Sequence, residues 1–181
     1  MSNFATYMEP LRNKVAESGI ITLDLAGFLL KNEEIAIFDI KPFLFREMIL
    51  REKDYRAALP EHDWSQYENK YVAVICSADA IVPVWAYMLA ASFLQPLAKT
   101  VYFGTADEMK KHFLLNTINN INIAEYDDKR VVIKGCGDIH VPDAAYVAVT
   151  EKLRPVVKSL MYGEPCSTVP VYKKPAIIPA G

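Results

Sequence analysis

The clearest hydrophobic pattern lies between residues 70 and 161, where short apolar runs alternate with longer segments of helical character. The apolar runs predict three strands, at Tyr71–Ile75, Thr100–Phe103 and Val131–Lys134. Helices are predicted after them, at Pro83–Leu94, Asp107–Leu115 and Pro142–Met161, with a kink at Pro155 in the last. Strands that alternate with helices through short connections are typical of a parallel sheet covered by helices on both faces.

The pattern is less regular toward both ends of the chain. The N-terminal part predicts a helix at Tyr7–Ser18, strands at Ile20–Leu25 and Ile35–Ile40, and a helix at Pro42–Leu59. The tail from Gly163 is proline-rich and is predicted to be extended. We therefore expect one α/β domain in three layers, with a mostly parallel sheet. Residues 1–62 form a small N-terminal β/α elaboration, 70–161 the regular core, and 162–181 the extended C-terminal tail.

Composition and charge do not favour functions that depend on nucleic acid, a membrane or export. The 181 residues carry a formal net charge of −2 with acids and bases interspersed, so nothing favours binding to nucleic acid or to an anionic membrane. Met1–Glu9 lacks the features of an export signal, and the apolar run Ala80–Leu94 is too short to span a bilayer. A cytoplasmic protein with reduced thiols is expected, in which an odd number of cysteines indicates metal binding, catalysis or core packing.

Two of the three cysteines lie just upstream of the two copies of an internal repeat. Residues 79–87 and 138–146 both read D-x-x-V-P-x-x-A-Y, and each copy follows a predicted strand with a cysteine just upstream, Cys76 or Cys136. A shorter echo, Cys166-Ser167-Thr168-Val169-Pro170, lies in the tail. Because loops at the carboxyl ends of parallel strands line the ligand crevice of an open sheet, the repeat predicts that Cys76 and Cys136 occupy equivalent loops. Cys166 is expected to join them from the tail.

Three thiolates form a soft ligand set, for which zinc or an iron–sulfur cluster is the natural partner. Three protein ligands leave one position open, and His140, Asp79, Asp138 or Glu164 could fill it. His140 is the weakest of these, because a lone histidine at the start of a helix is more often a surface residue. The repeated aspartates, Asp79 and Asp138, are also the candidate catalytic residues of the chain, although capping of the following helices explains their spacing equally well.

Two other functions stay open. A metal-independent enzyme could use a cysteine nucleophile assisted by a carboxylate, such as Cys76 with Asp79. Alternatively, the protein is a structural or interaction module whose cysteines only fill the core. The sequence has no glycine-rich dinucleotide fingerprint, no Walker loop and no nucleophile elbow. It does not identify a substrate, and it leaves a homo-oligomer open.

The cysteine segments resemble the signature of a bacterial family known as domain of unknown function 2480. The resemblance rests on Ile75–Pro83, Lys134–Asp138, Gly163–Pro170 and Asp63–Tyr67, and it extends from about Ile20 to Tyr172. It implies an association with iron–sulfur assembly genes, and His140 is not part of its motif. The leading hypothesis is a cytoplasmic metal-binding protein, accessory to iron–sulfur assembly or metal handling, with iron–sulfur assembly proteins as partners.

Overall fold

The computed structural model describes residues 19–134, 139–164 and 167–175. The helix predicted at Tyr7–Ser18 lies outside this range. The chain divides into two compact units. Unit 1 contains the residues up to Gly27 and those from Ile118 onward, and unit 2 contains Phe28–Thr117. Unit 2 is therefore inserted in the sequence of unit 1.

Unit 2 is built on a three-stranded parallel sheet. Its strands are β2 (Ile35–Asp39), β5 (Tyr71–Ile75) and β6 (Thr100–Phe103), with β5 in the centre. Helix α2 (Val84–Leu94) connects β5 to β6, as expected for a parallel pair. A short antiparallel pair, β3 (Leu44–Phe45) and β4 (Ile49–Leu50), precedes helix α1 (Glu52–Ala58), and helix α3 (Ala106–Asn119) follows β6.

Unit 1 contains a four-stranded sheet in the order β1-β7-β8-β9. Strands β1 (Ile20–Leu23), β7 (Arg130–Ile133) and β8 (Ser159–Glu164) are parallel. Helix α4 (Asp143–Leu153) connects β7 to β8. The last strand, β9 (Ser167–Lys173), pairs antiparallel with β8, so the proline-rich tail is extended as predicted and is held by a sheet.

The two units repeat one arrangement of strand, loop, helix and strand. Pro83 and Pro142 are the N-terminal caps of α2 and α4, and in each case their carbonyl oxygen accepts a 2.9 Å hydrogen bond from the amide three residues on. Each helix has eleven residues and buries every fourth side chain: Ala86, Ala90 and Leu94 in α2, and Ala145, Val149 and Leu153 in α4. We call residues that hold the same place in the two units counterparts.

Aromatic packing completes the core of unit 2. Phe38, which is fully buried on β2, stacks against Trp64 with ring centroids 5.3 Å apart. Trp64 stacks in turn on Phe93 of α2, and its indole Nε1 donates a 2.7 Å hydrogen bond to Leu59 O. The ring of His62 lies 4.9 Å from that of Trp64. The aromatic side chains of this segment thus pack into the core, while Asp63 is exposed.

The α/β class with parallel sheets is confirmed, with differences in detail. The strands form two parallel sheets instead of one, and the N-terminal strands β1 and β2 join one sheet each. No helix among the described residues is long and apolar enough to cross a bilayer.

Two predicted helices are shorter than expected. The segment predicted as a helix from Pro42 begins in a short 3-10 helix, Lys41–Phe43, and continues into the β3–β4 pair. The turn of that pair places Arg46 and Glu47 at positive φ, so only Glu52–Ala58 is α-helical. Helix α4 ends before Pro155, because proline does not continue a helix, and the following residues form β8.

Candidate functional site

Cys76 lies directly after β5, at the carboxyl end of the central strand of unit 2. The side chain is half-buried, and its Sγ lies 3.6 Å from the carbonyl oxygen of Ala78. The loop then runs to Pro83, where α2 begins. The sequence prediction that Cys76 occupies a loop at the carboxyl end of a parallel strand is therefore confirmed for this residue.

Asp39 fixes the loop immediately after Cys76. It is the last residue of β2, and its Oδ1 accepts hydrogen bonds from the backbone amides of Ser77 at 3.0 Å and Lys41 at 2.9 Å. Its Oδ2 accepts a 2.5 Å hydrogen bond from the Ser77 hydroxyl. Partial burial acts to raise the pKa of Asp39, but the hydrogen bonds from Ser77 and Lys41 outweigh it and hold the pKa below its ordinary value. The carboxylate is therefore ionised at neutral pH.

Tyr87 lies near this carboxylate and thiol. Burial raises the pKa of its phenol, and the negative charges that Cys76 and Asp39 can carry raise it further. The Tyr87 ring makes an edge-on contact with Phe103 of β6, with ring centroids 4.9 Å apart. The carboxyl end of the unit 2 sheet thus brings together a thiol, a carboxylate, a hydroxyl and a neutral phenol.

Asp79 is exposed on the loop that follows Cys76. The capping alternative is wrong for this residue, because Pro83 and not Asp79 holds the cap position of α2, and the structure records no side-chain hydrogen bond from that cap. His140 is exposed just before Val141 and Pro142, at the start of the segment that enters α4. Asp79 and His140 are thus accessible to solvent.

Unit 1 has the counterpart of this arrangement around Asp24. Asp24 directly follows β1, which pairs with β7, and like Asp39 it accepts a hydrogen bond from the amide two residues on, here Ala26 at 3.0 Å. Its Oδ2 also accepts a 3.1 Å hydrogen bond from Lys134 Nζ, which contributes most to holding the pKa of Asp24 below its ordinary value. Asp24 therefore joins β1 to the start of the loop after β7.

Cys136, Asp138 and Cys166 lie outside the described residues. The described residues beside them show where the segments that contain these cysteines begin. The Cys136 connection follows Lys134, after β7, and the Cys166 connection follows Glu164, the last residue of β8. Among the residues that the structure describes, no group of three or more histidine, cysteine, aspartate or glutamate side chains could hold a metal ion.

A family model described as "Protein of unknown function (DUF2480)" matches residues 9–174. The chain belongs to this family. The suspected family is thereby confirmed, and the match includes all three cysteine segments of this DUF2480 protein. No curated protein and no solved structure matches the chain.

Sequence reasoning did not identify Asp24, Asp39 or Ser77. A signal was present, because an aspartate set between apolar residues is the last residue of β2 and directly follows β1: Phe38-Asp39-Ile40 and Leu23-Asp24-Leu25. In each unit the two residues beside the aspartate are buried. In both units, a charged residue between two buried ones thus lies where the strand ends.

Proposed function

We propose that this protein binds a metal centre, zinc or an iron–sulfur cluster, through the thiolates of Cys76, Cys136 and Cys166. The observation that carries the proposal is the repeated β-loop-α-β arrangement, in which the segments containing Cys76 and Cys136 follow the equivalent strands β5 and β7. Loops at this end of a parallel sheet are the usual place for a ligand. We further propose a cytoplasmic role accessory to iron–sulfur assembly or metal handling, with assembly proteins as partners.

The strand order of unit 1 supports a pairing of Cys136 with Cys166. β7 and β8 are neighbouring parallel strands, with Ile133 opposite Tyr162. The segments that contain Cys136 and Cys166 therefore both start from the carboxyl end of the same sheet. Neighbouring strands are about 4.8 Å apart, which suits two thiolates on one metal. Cys76 belongs to unit 2, and its role as the third ligand rests on the sequence repeat.

The Asp39 carboxylate near Cys76 suits a bound divalent cation better than a cysteine nucleophile. A reactive cysteine is usually activated by a nearby positive charge or a base. Around Cys76 the structure places the Asp39 carboxylate and the Tyr87 phenol, whose pKa burial raises first and the charges on Cys76 and Asp39 raise further. The negative charge of the Asp39 carboxylate would stabilise a divalent cation bound at this loop, whereas the neutral phenol adds no charge.

Single substitutions test the ligand set. The protein is purified without oxygen, and Zn²⁺ affinity is measured by competition with a chelator for the wild type and for Cys76→Ser, Cys136→Ser and Cys166→Ser. We expect each variant to lose at least about tenfold in affinity, since each removes one thiolate. His140→Ala is the control and is expected to leave the affinity unchanged. Wild-type affinity in both Cys136→Ser and Cys166→Ser would contradict the proposal.

The absorption spectrum distinguishes the two kinds of centre. A protein that holds an iron–sulfur cluster is coloured, with sulfur-to-iron charge-transfer bands in the visible range, whereas a zinc protein is colourless. Reconstitution with iron and sulfide, followed by desalting, should retain the bands in the wild type and lose them in the triple Cys→Ser variant if the centre is a cluster. A colourless protein that binds zinc stoichiometrically would assign the site to zinc.

A further inference from the structure

A cavity of about 440 Å³ lies at the amino-terminal end of the parallel strands of unit 1. The segments containing Cys136 and Cys166 start from the opposite end of these strands. Four of the residues that line the cavity are basic: Arg130, Lys158, Lys173 and Lys174. Among the described residues no acidic side chain lines it, so the cavity wall is positively charged although the chain as a whole carries a net charge of −2.

The register of the strands groups these basic residues. Arg130 is opposite Ser159, and Ser159 is opposite Lys173, so the three lie in one row across neighbouring strands. Side chains of residues directly opposite one another project from the same face of a sheet, and neighbouring strands are about 4.8 Å apart. Ser159 therefore has a cationic residue on either side, at a spacing that the long side chains of arginine and lysine can bridge.

Three of the four positive charges have no carboxylate partner within the described part of the chain. Lys174 pairs with Asp128, with 3.6 Å between Nζ and Oδ1. Arg130, Lys158 and Lys173 form no ion pair with a described residue. Like charges gathered in one cavity repel one another, and a bound anion relieves this repulsion.

The same positions of unit 2 do not form a positive cluster. Lys99 and Lys158 are counterparts, because the amide of each donates a 2.8 Å hydrogen bond to the lysine that precedes β5 or β7. Lys99 forms an ion pair with Glu34, and its Nζ lies 5.2 Å from the centre of the Tyr71 ring. Tyr71 begins β5 where Arg130 begins β7. The repeated fold therefore does not require positive charge here, and the cluster is particular to unit 1.

The rest of the lining is mostly apolar. Ile20, Met161 and Pro170 contribute aliphatic side chains. Tyr172 contributes an aromatic ring, whose centroid lies 4.8 Å from the guanidinium carbon of Arg154. Small-molecule sites combine mainly apolar walls with a few polar groups that fix the ligand, in cavities of about 300–1,000 Å³. The cavity thus suits a ligand with an anionic group and an apolar body.

We propose that this cavity binds a small organic phosphate, with the phosphate group held by Arg130, Lys158 and Lys173 and the apolar body against the aliphatic wall. A phosphate monoester carries a charge of about −1.5 to −2 and three acceptor oxygens, which match several cationic donors better than the single charge of a carboxylate does. The planar guanidinium of Arg130 can donate two parallel hydrogen bonds to it, and the Ser159 hydroxyl can donate another. The proposal goes beyond the metal site and uses no cysteine.

Isothermal titration calorimetry of the full chain tests the proposal, with phenyl phosphate, inorganic phosphate and phenol as probes. Phenyl phosphate should bind with a Kd of about 1 mM or tighter, and at least about tenfold more tightly than inorganic phosphate, because its ring is removed from water. Phenol should not bind measurably, since it lacks the charge. Phenyl phosphate that does not bind, or that binds no more tightly than either of the other probes, would overturn the proposal.

Counterpart lysines provide a matched pair of variants. Lys158→Gln and Arg130→Gln should each weaken the binding of phenyl phosphate at least about tenfold, because each removes a charge-assisted hydrogen bond to the ligand. Lys99→Gln removes the same charge at the counterpart position in unit 2 and should leave the affinity unchanged. All three side chains are exposed, so the circular dichroism spectra should match that of the wild type. Wild-type affinity in both Lys158→Gln and Arg130→Gln, or an equal loss in Lys99→Gln, would overturn the proposal.

Nuclear magnetic resonance of the wild type keeps the test decisive if a variant fails to fold. Saturating phenyl phosphate should shift the amide signals of Arg130, Ser159 and Lys173, which line the cavity. The amides of Tyr71 and Thr100, which begin the counterpart strands β5 and β6, serve as the internal control and should shift much less. Shifts of equal size in the two groups would overturn the proposal.

Discussion

At the scale of single residues, Asp39 is the group on which the local geometry of the Cys76 loop depends. It connects the end of β2 to Ser77 through an amide and a hydroxyl hydrogen bond. Strands β2 and β5 are far apart in sequence, and the last residue pair between them is Asp39 with Ile75. The Asp39 carboxylate continues the connection beyond this pair. Ser77 follows Cys76 directly, so the carboxylate also determines where the thiol lies.

Asp39→Asn should destabilise the protein by about 1–3 kcal/mol at neutral pH, because the amide nitrogen cannot accept the hydrogen bond from the Ser77 hydroxyl and the remaining bonds lose the charge of the carboxylate. The pKa of Asp39 is depressed in the folded protein, so its contribution is complete above the unfolded pKa of about 3.9. It is lost as the pH falls through the folded value. Urea unfolding at several pH values should therefore show a constant difference from wild type above about pH 5 that narrows in more acidic solution. An equal difference at all pH values would contradict this.

The same substitution should change the reactivity of Cys76. In a Cys136→Ser, Cys166→Ser background, Asp39→Asn should increase the alkylation rate of Cys76 several-fold, because the loop loses the hydrogen bond from the Ser77 hydroxyl and the charge that strengthens the bond from the Ser77 amide. Asp63→Asn is the matched control, since Asp63 bonds the amide and hydroxyl of Ser65 in a local turn. An unchanged rate in Asp39→Asn, or an equal increase in Asp63→Asn, would show that Asp39 does not position the thiol.

At the scale of elements, the β8–β9 hairpin depends on a glycine. Gly163 has φ +124°, and a Cβ added there would lie 2.5 Å from the carbonyl oxygen of Ser167. Gly163→Ala should lower the free energy of unfolding by about 2 kcal/mol or more, because alanine is strained at this φ and meets backbone. Chemical denaturation measures this.

Gly27 provides the control for that experiment. Its φ is not in the left-handed range, and a Cβ added there has no heavy atom within 4 Å. Gly27→Ala should therefore be neutral or slightly stabilising, by at most about 1 kcal/mol, through reduced entropy of the unfolded chain. Equal losses in Gly27→Ala and Gly163→Ala would contradict the assignment of strain to the hairpin.

Hydrophobic patterning predicted those elements whose structure depends on local sequence. Strands β5 and β6 have the bounds of their apolar runs, and α2 begins one residue after Pro83, as the repeat indicates. The β3–β4 pair was missed because its turn uses Arg46 and Glu47 at positive φ, which their residue types do not signal. β8 was missed because apolar residues after Pro155 fit a continued helix as well as a strand.

At the scale of the whole molecule, the repeat in the sequence corresponds to two units of the same design. Counterparts agree beyond the motif itself: Asn69 and Asp128, just before the central strands, both have positive φ, as do Gly104 and Gly163. The rings of Tyr87 and Phe103 meet edge-on, as do those of Tyr146 and Tyr162. A nine-residue motif therefore marked a structural repeat that includes the whole strand-helix-strand segment.

The candidate site was predictable only in part. The position of Cys76 followed from its spacing to a strand and to Pro83, both of which are local features. The contribution of Asp39 did not, because it arises from the pairing of β2 with β5, a contact between segments that are distant in sequence. The assembly of three thiols is a prediction of the same long-range kind.

The metal content of anaerobically purified protein tests the central claim most directly. Elemental analysis of the wild type should find about one zinc ion, or the iron of one cluster, per chain, and the triple Cys→Ser variant should contain almost none. The variant should keep the wild-type circular dichroism spectrum if the fold does not require the metal. Less than about half an equivalent of any metal in the wild type, or the same content in the triple variant, would contradict the account.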